Sequence, residues 1–313
     1  MFLGGILIPR VDVISIGGVN IDICAIIPEF PAIDEEIEVV ELQELPGGSA
    51  ANYIVGVARL GLKTGFIGKI GNDVYGHKLT RDFLQEKVDI SQLKMANMHS
   101  GTCLIPIDKN GNRRIFSFRG ANATLSPEDI REPYIRQAAI LHITSPPITV
   151  AQFAAELARK HKVLLSYDPG GKVIRKGLKF IEPVLTNTDI FLPSKSELHL
   201  LFPEIEEPKT AALHLIDSYG IRIVAGKLGA QGCLIVTKDD TIQVKGYTVN
   251  VIDTTGAGDS FAAAFTVGIH KKWDLLKCAR FANAAAAIKV TRLGARSALP
   301  TLKEVEEFLH LTI

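Results

Sequence analysis

The sequence predicts a doubly wound α/β fold, a mostly parallel sheet flanked by helices, with a small β lid inserted in its N-terminal part. Three observations predict it. Residues 11–16 are apolar, almost unbroken and rich in β-branched side chains before Gly17-Gly18, the pattern of a strand buried on both faces and hence of a parallel sheet. From residue 140 onward β-rich and amphipathic runs alternate regularly, as βαβ units do. Residues 19–45 and 101–119 instead read as β-prone pieces with one polar face; paired, they would form a lid over the carboxyl edge of the sheet, where ligands bind in open α/β folds. No linker, repeat or low-complexity stretch interrupts the chain, so residues 1–313 are expected to form one domain carrying that lid.

The elements follow in order. Residues 1–10 hold a short apolar run with no positive region before it and no small-residue cleavage site, and read as an extension. After the strand at 11–16, acids alternate through Glu35-Glu36-Ile37-Glu38-Val39-Val40-Glu41, which predicts strands with one wet face. Pro46-Gly47-Gly48 then opens a helix running to Leu60, with Ser49 as its cap and Gly61 as its stop. Gly56 to Thr64 approaches a P-loop pattern, but Leu62 separates the second glycine from Lys63 and the run ends a helix instead of following a strand, so a P-loop is rejected. A strand at 64–70 and a helix at 74–87 come next. Residues 102–107 and 113–118 make a hairpin around the Asn110-Gly111 turn. The regular alternation places strands at 140–143, 163–167, 189–192 and 221–225, and helices at 150–161, 194–202 and 209–219.

Composition narrows the function classes. With 313 residues, 47% hydrophobic, 22% charged and a net charge of +1, the chain suits one large α/β domain and has no electrostatic bias toward nucleic acid or anionic membrane. Any phosphate site must therefore be local. Cys24, Cys103, Cys233 and Cys278 are far apart without metal-ligand spacing, and no run is apolar enough to span a bilayer. A cytoplasmic protein with reduced thiols is expected.

That local site is Asp253-Thr254-Thr255-Gly256-Ala257-Gly258-Asp259-Ser260-Phe261. A β-rich run at 247–252 leads in and an alanine-rich run at 260–270 leads out, which puts Gly256, Ala257 and Gly258 on a strand-to-helix turn. Glycines let the backbone turn tightly against a ligand, and the first N–H groups of a helix are unpaired and carry the positive dipole end. Asp259 lies at the helix entrance, within reach of a bound anion. Read locally, the same residues are ordinary turn and capping chemistry; the ordered combination of two acids, two threonines and two glycines goes beyond what a cap requires.

That order resembles the signature of the ribokinase-like (PfkB) carbohydrate kinases. The resemblance covers nearly the whole chain: Gly48-Ser49-Ala50-Ala51-Asn52 through Ala58-Arg59-Leu60-Gly61 is similar to the family's first signature, Gly68 to Gly76 continues it, and Arg280 to Gly294 is similar to the carboxyl end of ribokinases. It implies a kinase transferring the γ-phosphoryl of ATP, with Mg²⁺, to a hydroxyl of a sugar or sugar-containing molecule. It implies Asp259 as general base and the backbone of Gly256, Ala257 and Gly258 as the anion hole. Asn20, Asp22, Gly48 and Asn52 match its sugar ligands, and Ser194, Lys227, Gly229, Gly232 and Asn283 its nucleotide side. Glu197 matches a residue associated with magnesium, and Asp253 and Thr255 resemble a monovalent-cation site that would take K⁺.

Departures bear on the substrate. The family's Asn-x-x-Glu motif is Ser194-Lys195-Ser196-Glu197 here, and a sugar-binding glutamate of ribokinases is matched by Thr144. Arg119 could pair an acidic group bidentately. Phe118 could instead stack on a base, which keeps a nucleoside kinase of the same fold open, and a non-catalytic sugar- or nucleotide-binding protein is the third reading. A small-molecule partner is expected, with no nucleic acid or membrane, and pairing of two copies through the lid.

Overall fold

The structure, a computed structural model, describes residues 11–312, so the reading of residues 1–10 as an extension lies outside the described residues. The chain starts with β1 (Val13–Gly17), β2 (Asn20–Ile26), β3 (Glu41–Gly47), α1 (Ser49–Arg59), β4 (Thr64–Gly71), α2 (Val74–Gln85), β5 (Asp89–Ala96), β6 (Gly101–Ile107) and β7 (Phe116–Phe118). Short α3 (Glu132–Ile135) precedes β8 (Ile140–Thr144), α4 (Ile148–His161), β9 (Leu164–Tyr167), α5 (Gly171–Ile174), α6 (Leu178–Leu185), β10 (Ile190–Phe191), α7 (Lys195–Leu201), α8 (Pro208–Tyr219) and β11 (Ile223–Lys227). The described chain closes with β12 (Cys233–Val236), β13 (Thr241–Val244), α9 (Ala257–His270), α10 (Leu275–Val290) and α11 (Leu302–Thr312).

Among the described residues the larger sheet has nine strands in the order β13-β12-β11-β10-β9-β8-β1-β4-β5. It is parallel from β11 to β5, and β12 and β13 add an antiparallel edge. The order turns back at β1, where the chain runs out to β4 on one side and later continues from β8 on the other. Such a reversal leaves a crevice at the carboxyl ends of the strands. A second sheet, β3-β2-β6-β7, is built from the two inserted segments, with β2 parallel to β6 and the outer pairs antiparallel.

β1 shows why the sheet is covered on both faces. Val13 packs with α1, α9 and α10, whereas Ile14 and Ile16 point into the opposite core with α4. Full burial of each such side chain is worth about 1.5–3 kcal/mol, which fixes register because a one-residue slip would exchange the two faces. Ser15, the polar residue of β1, donates to the Ala50 carbonyl at 3.0 Å and so costs nothing in unpaired polarity. On the first face, α1 and α9 approach closely at Gly56, where an added Cβ would lie 2.9 Å from the Ala263 Cβ.

The helix stop at Gly61 holds, with φ of +95°. Several other expectations need correction. Residues 247–252 form no strand, and Val251 and Ile252 are exposed: with β13 already at the sheet edge, this run crosses the surface as a loop. The acidic alternation before Glu41 is likewise irregular, because its Val39 and Val40 meet no partner face and remain exposed. Ser49 is the first residue of α1 and not its cap; the cap is Gly48, whose φ of +95° a side chain would strain. The second strand of the hairpin shrinks to β7, joined to β6 near the turn by a single Ile107–Arg113 bridge.

Candidate active site

α9 begins at the crevice. Gly256 caps it with φ of +80°, and a Cβ there would stand 2.8 Å from the Ala295 carbonyl oxygen, so the turn needs glycine both for conformation and for room. Of the expected N–H donors, that of Ala257 already donates to Thr254 O at 3.2 Å, while those of Gly258 and Asp259 have no acceptor among the described residues. Two donors at the positive end of a helix therefore point into the crevice. Lys227, at the end of β11, brings its ammonium to them: a Cβ built on Gly258 would lie 3.6 Å from Lys227 Nζ.

Lys227 is not a solvated surface charge. It is enclosed and forms an ion pair with Asp168, just beyond β9. Asp168 was not anticipated, although an acid ending a buried strand before Pro169-Gly170-Gly171 is a readable signal for the ligand edge of an α/β sheet. Ser194 is the cap of α7 in a capping box with Glu197: Glu197 Oε2 accepts from Ser194 N at 2.6 Å, and Ser194 Oγ accepts from Glu197 N at 3.3 Å. Oε1 of the buried Glu197 is not used in the cap. Asp168, Glu197 and Asp259 all act electrostatically on Lys227 and hold its pKa up against burial.

The Asp259 carboxylate accepts from Asn52 Nδ2 at 3.0 Å. Packed protein surrounds it on all sides but the cleft, and this burial raises its pKa to about 6, opposed by the Asn52 hydrogen bond and by Lys227 and reinforced by Asp168. The amide of Asn52 is itself oriented from behind. Arg296, 1% exposed, donates Nε to Asn52 Oδ1 at 3.2 Å, Nη2 to the Gly47 carbonyl at 2.6 Å and Nη1 to Asp82. A guanidinium has no acceptor, so it turns the amide oxygen toward itself and the NH₂ toward Asp259. No sequence signal marked Arg296, because its partners lie more than 200 residues away along the chain.

The Gly47 carbonyl leads to the sugar-side residues. β3 pairs with β2 so that Gly47 faces Asn20, and a Cβ on Gly47 would overlap the Asp22 carboxylate. Asn20 Nδ2 donates to Asp22 Oδ1. Asp22 is buried and its pKa rises to about 6, with Arg296, Cys103 and Asn20 opposing the rise. Asn20 and Asp22 thus belong to β2 of the small sheet and lie beyond the end of β1. β8 extends one residue beyond the expected 140–143 to end on Thr144, whose Oγ1 is 2.7 Å from His142 Nε2, and His142 stacks on Tyr53 at 3.6 Å and meets Ser166 Oγ at 3.0 Å. Burial, with the charge of Lys227, pushes the pKa of this imidazole well below its ordinary value.

Two cavities flank the loop before α9. One, of about 410 Å³, is lined by Lys227, Gly229, Gly232, Gly258 and Asn283 and is otherwise largely apolar. Asn283 uses its Nδ2 on the Val244 and Lys245 carbonyls, at 3.2 Å each, and so fixes the wall more than it offers donors. The other, of about 340 Å³, lies under the small sheet and is lined by Asp22, Gln43, Arg113, Thr255 and Gly294. Arg113, also unanticipated, donates to Thr255 Oγ1. Arg119, just past β7, donates to Ser145 O at 3.1 Å, and Phe118, the last residue of β7, is exposed.

Known proteins share this fold. The family model described as pfkB family carbohydrate kinase matches residues 11–302. The chain is 38% identical to an uncharacterized sugar kinase of Archaeoglobus fulgidus, over 79% of this chain and 98% of that one, and 32% identical to the ribokinase of Haemophilus influenzae, over 94% and 97%. Among solved structures it is similar to the ribokinase of Thermotoga maritima, with TM-score 0.88, 30% identity and coverage of 96% and 99%. An Escherichia coli chain solved in complex with ATP and Mg²⁺ superposes with TM-score 0.86 at 25% identity, covering 96% and 99%. A match that spans the chain from β1 to the start of α11, on the ribokinase fold, means that this chain belongs to the pfkB family of carbohydrate kinases, phosphotransferases whose acceptor is an alcohol.

Proposed function

We propose that the chain is an ATP-dependent kinase in which Asp259 takes the proton of a sugar hydroxyl as that oxygen attacks the γ-phosphorus, with ADP leaving. One observation carries the reading. A carboxylate held by Asn52 sits on the first turn of α9 beside the unspent N–H groups of Gly258 and Asp259, between an apolar cavity and the paired Asn20 and Asp22. The base and the anion donors stand at the start of α9, and the two ligand-sized spaces flank the loop that leads into it.

Each part has a physical role. The proton leaves late, when the bridging oxygen has become acidic, so a carboxylate of pKa about 6 is basic enough. The two N–H groups and Lys227 face the oxygens on which charge develops, and one such donor is typically worth about 2.7–4 kcal/mol. The apolar cavity suits a nucleobase. Asp22 accepts and Asn20 donates to vicinal hydroxyls, with Gly48 and Asn52 beside them. Mg²⁺ fits an open set of ligands: among the described residues no cluster of three or more metal-binding side chains exists, so phosphates and water would carry the ion, with Glu197 Oε1 free to hold a metal-bound water, and the ion would neutralise phosphate charge.

Free ribose is a poor acceptor in this reading and a larger sugar or sugar acid a better one, because Thr144 is shorter than glutamate and already bonded to His142. A panel of sugars, sugar acids and nucleosides assayed with ATP tests both statements. Asp259→Asn should lower turnover on the best acceptor by about 10² to 10⁴ while ATP affinity and fold persist. Near-normal turnover in that variant would sink the assignment, and ribose as best acceptor would sink the substrate class.

A further inference from the structure

Lys289 is a buried ammonium for which phosphoryl transfer has no direct use. It lies in the last turn of α10 at 0% exposure, donates Nζ to the Asp253 carbonyl at 2.6 Å and stands 3.5 Å from Asp253 Oδ2. Asp253 is the hub of the loop before α9. Its Oδ1 accepts from Thr255 N at 2.9 Å and Thr255 Oγ1 at 2.7 Å, and its Oδ2 accepts from Gly294 N at 3.0 Å. The N–H groups of Ile252 and Asp253 both donate to Val290 O. These bonds fix residues 252–255 directly before Gly256, the cap on which the anion donors depend.

A carbonyl and a carboxylate converging on one buried point form the kind of oxygen cage that takes a potassium ion, as Asp253 and Thr255 first suggested. The structure does not fit that ion. Lys289 places an ammonium against these oxygens, Gly294 offers an N–H, and the Arg113 guanidinium approaches Asp253 Oδ1 to 3.9 Å. A potassium ion sharing the Asp253 oxygens would meet two positive charges in a poorly hydrated space. We propose that the Lys289 ammonium is the resident cation of this loop, a positioning residue that holds the anion hole in place and removes any requirement for a monovalent ion.

The inference rests on the kinase reading for its rate readout alone; ATP affinity and melting temperature report on it independently. Each quantity is measured in KCl and in tetramethylammonium chloride at equal ionic strength. For the unaltered protein all three should agree between the salts, turnover to within about twofold. Lys289→Ala empties the cage: it should lose at least about tenfold in turnover without potassium, then recover with KCl, its melting temperature rising along the same saturation curve. Lys289→Met removes the charge but fills the space, and should lose turnover with no recovery.

The proposal is overturned if potassium activates the unaltered protein more than about fivefold or raises its melting temperature saturably. It is also overturned if Lys289→Met turns over normally, or if KCl leaves the loss in Lys289→Ala uncorrected. Should Lys289→Ala fail to fold, the salt comparison and Lys289→Met still decide. If no acceptor is found, the kinase reading fails by itself, and the salt dependence of ATP binding and melting still tests the cation.

Discussion

At the scale of single residues, the site combines carboxylates whose surroundings push them in different directions. Burial lifts Asp259 and Asp22 to about 6, whereas Asp253, also partly buried, is held below its ordinary range by Thr255, Lys289 and Gly294. A base must be ionised to accept a proton, so kcat/KM should be flat above about pH 6.5 and fall roughly tenfold per unit below about pH 6; a profile flat down to pH 4.5 would remove Asp259 from that role. Stability should run the other way. Asp259 holds its proton more tightly folded than unfolded, so its contribution is present below about pH 4 and lost as pH rises through 6. Asp259→Asn should therefore melt a few degrees higher than the natural protein at pH 7, about 1–3 kcal/mol in stability, with little difference at pH 4.

At the scale of elements, the contact of α1 with α9 holds Asp259. Asn52 and Gly56 are one turn apart on α1, and Asp259 and Ala263 one turn apart on α9, so the Asn52–Asp259 bond and the Gly56–Ala263 contact lie along the same seam. Closest approach at the glycine sets the separation that the hydrogen bond requires. Gly56→Ala puts a methyl 2.9 Å from the Ala263 Cβ and should cost about 1–3 kcal/mol through overpacking. The same shift moves Asn52 from Asp259, so turnover should fall while ATP affinity holds. Urea melts and steady-state kinetics separate these effects, and a destabilised variant with unchanged turnover would confine the seam to a packing role.

At the scale of the whole molecule, the small sheet meets the larger body through Ile21 of β2, buried in the core with α1 and α9, and through scattered polar contacts further out. Glu44 bonds Tyr75 and Lys78, Arg113 reaches Thr255, Arg119 reaches Ser145, and the buried Arg296 holds the Gly47 carbonyl at its base. Most of these are exposed pairs of the sort worth under about 1 kcal/mol each. These polar contacts resist movement little while Ile21 anchors the base of the sheet, and we propose that its outer part closes as a lid when sugar and nucleotide are both bound, shielding the phosphoryl from water. Hydrogen exchange should slow across residues 20–47 and 101–118 only when acceptor and a non-hydrolysable ATP analogue are present together. Equal protection with either ligand alone would contradict closure on the complete complex.

The sequence by itself determined the fold class, most of the alternating elements and the glycine turn that starts α9, because these rest on local causes. Apolar periodicity selects strand or helix, and glycine at a helix start fixes a backbone shape, whatever surrounds them. It could not determine that residues 247–252 would lie outside the sheet, since their β propensity loses to the absence of an edge to join once β13 has taken it. Nor did it single out Arg296, Asp168 and Arg113, or show that Lys289 would contribute an ammonium. Each of these is an ordinary charged residue in sequence, and its meaning comes from partners brought to it by folding: Asn52 for Arg296, Lys227 for Asp168, Thr255 for Arg113, Asp253 for Lys289. Tertiary structure decided these because a buried charge is tolerable only beside its partner, and which residues become partners is set by the packing of distant segments.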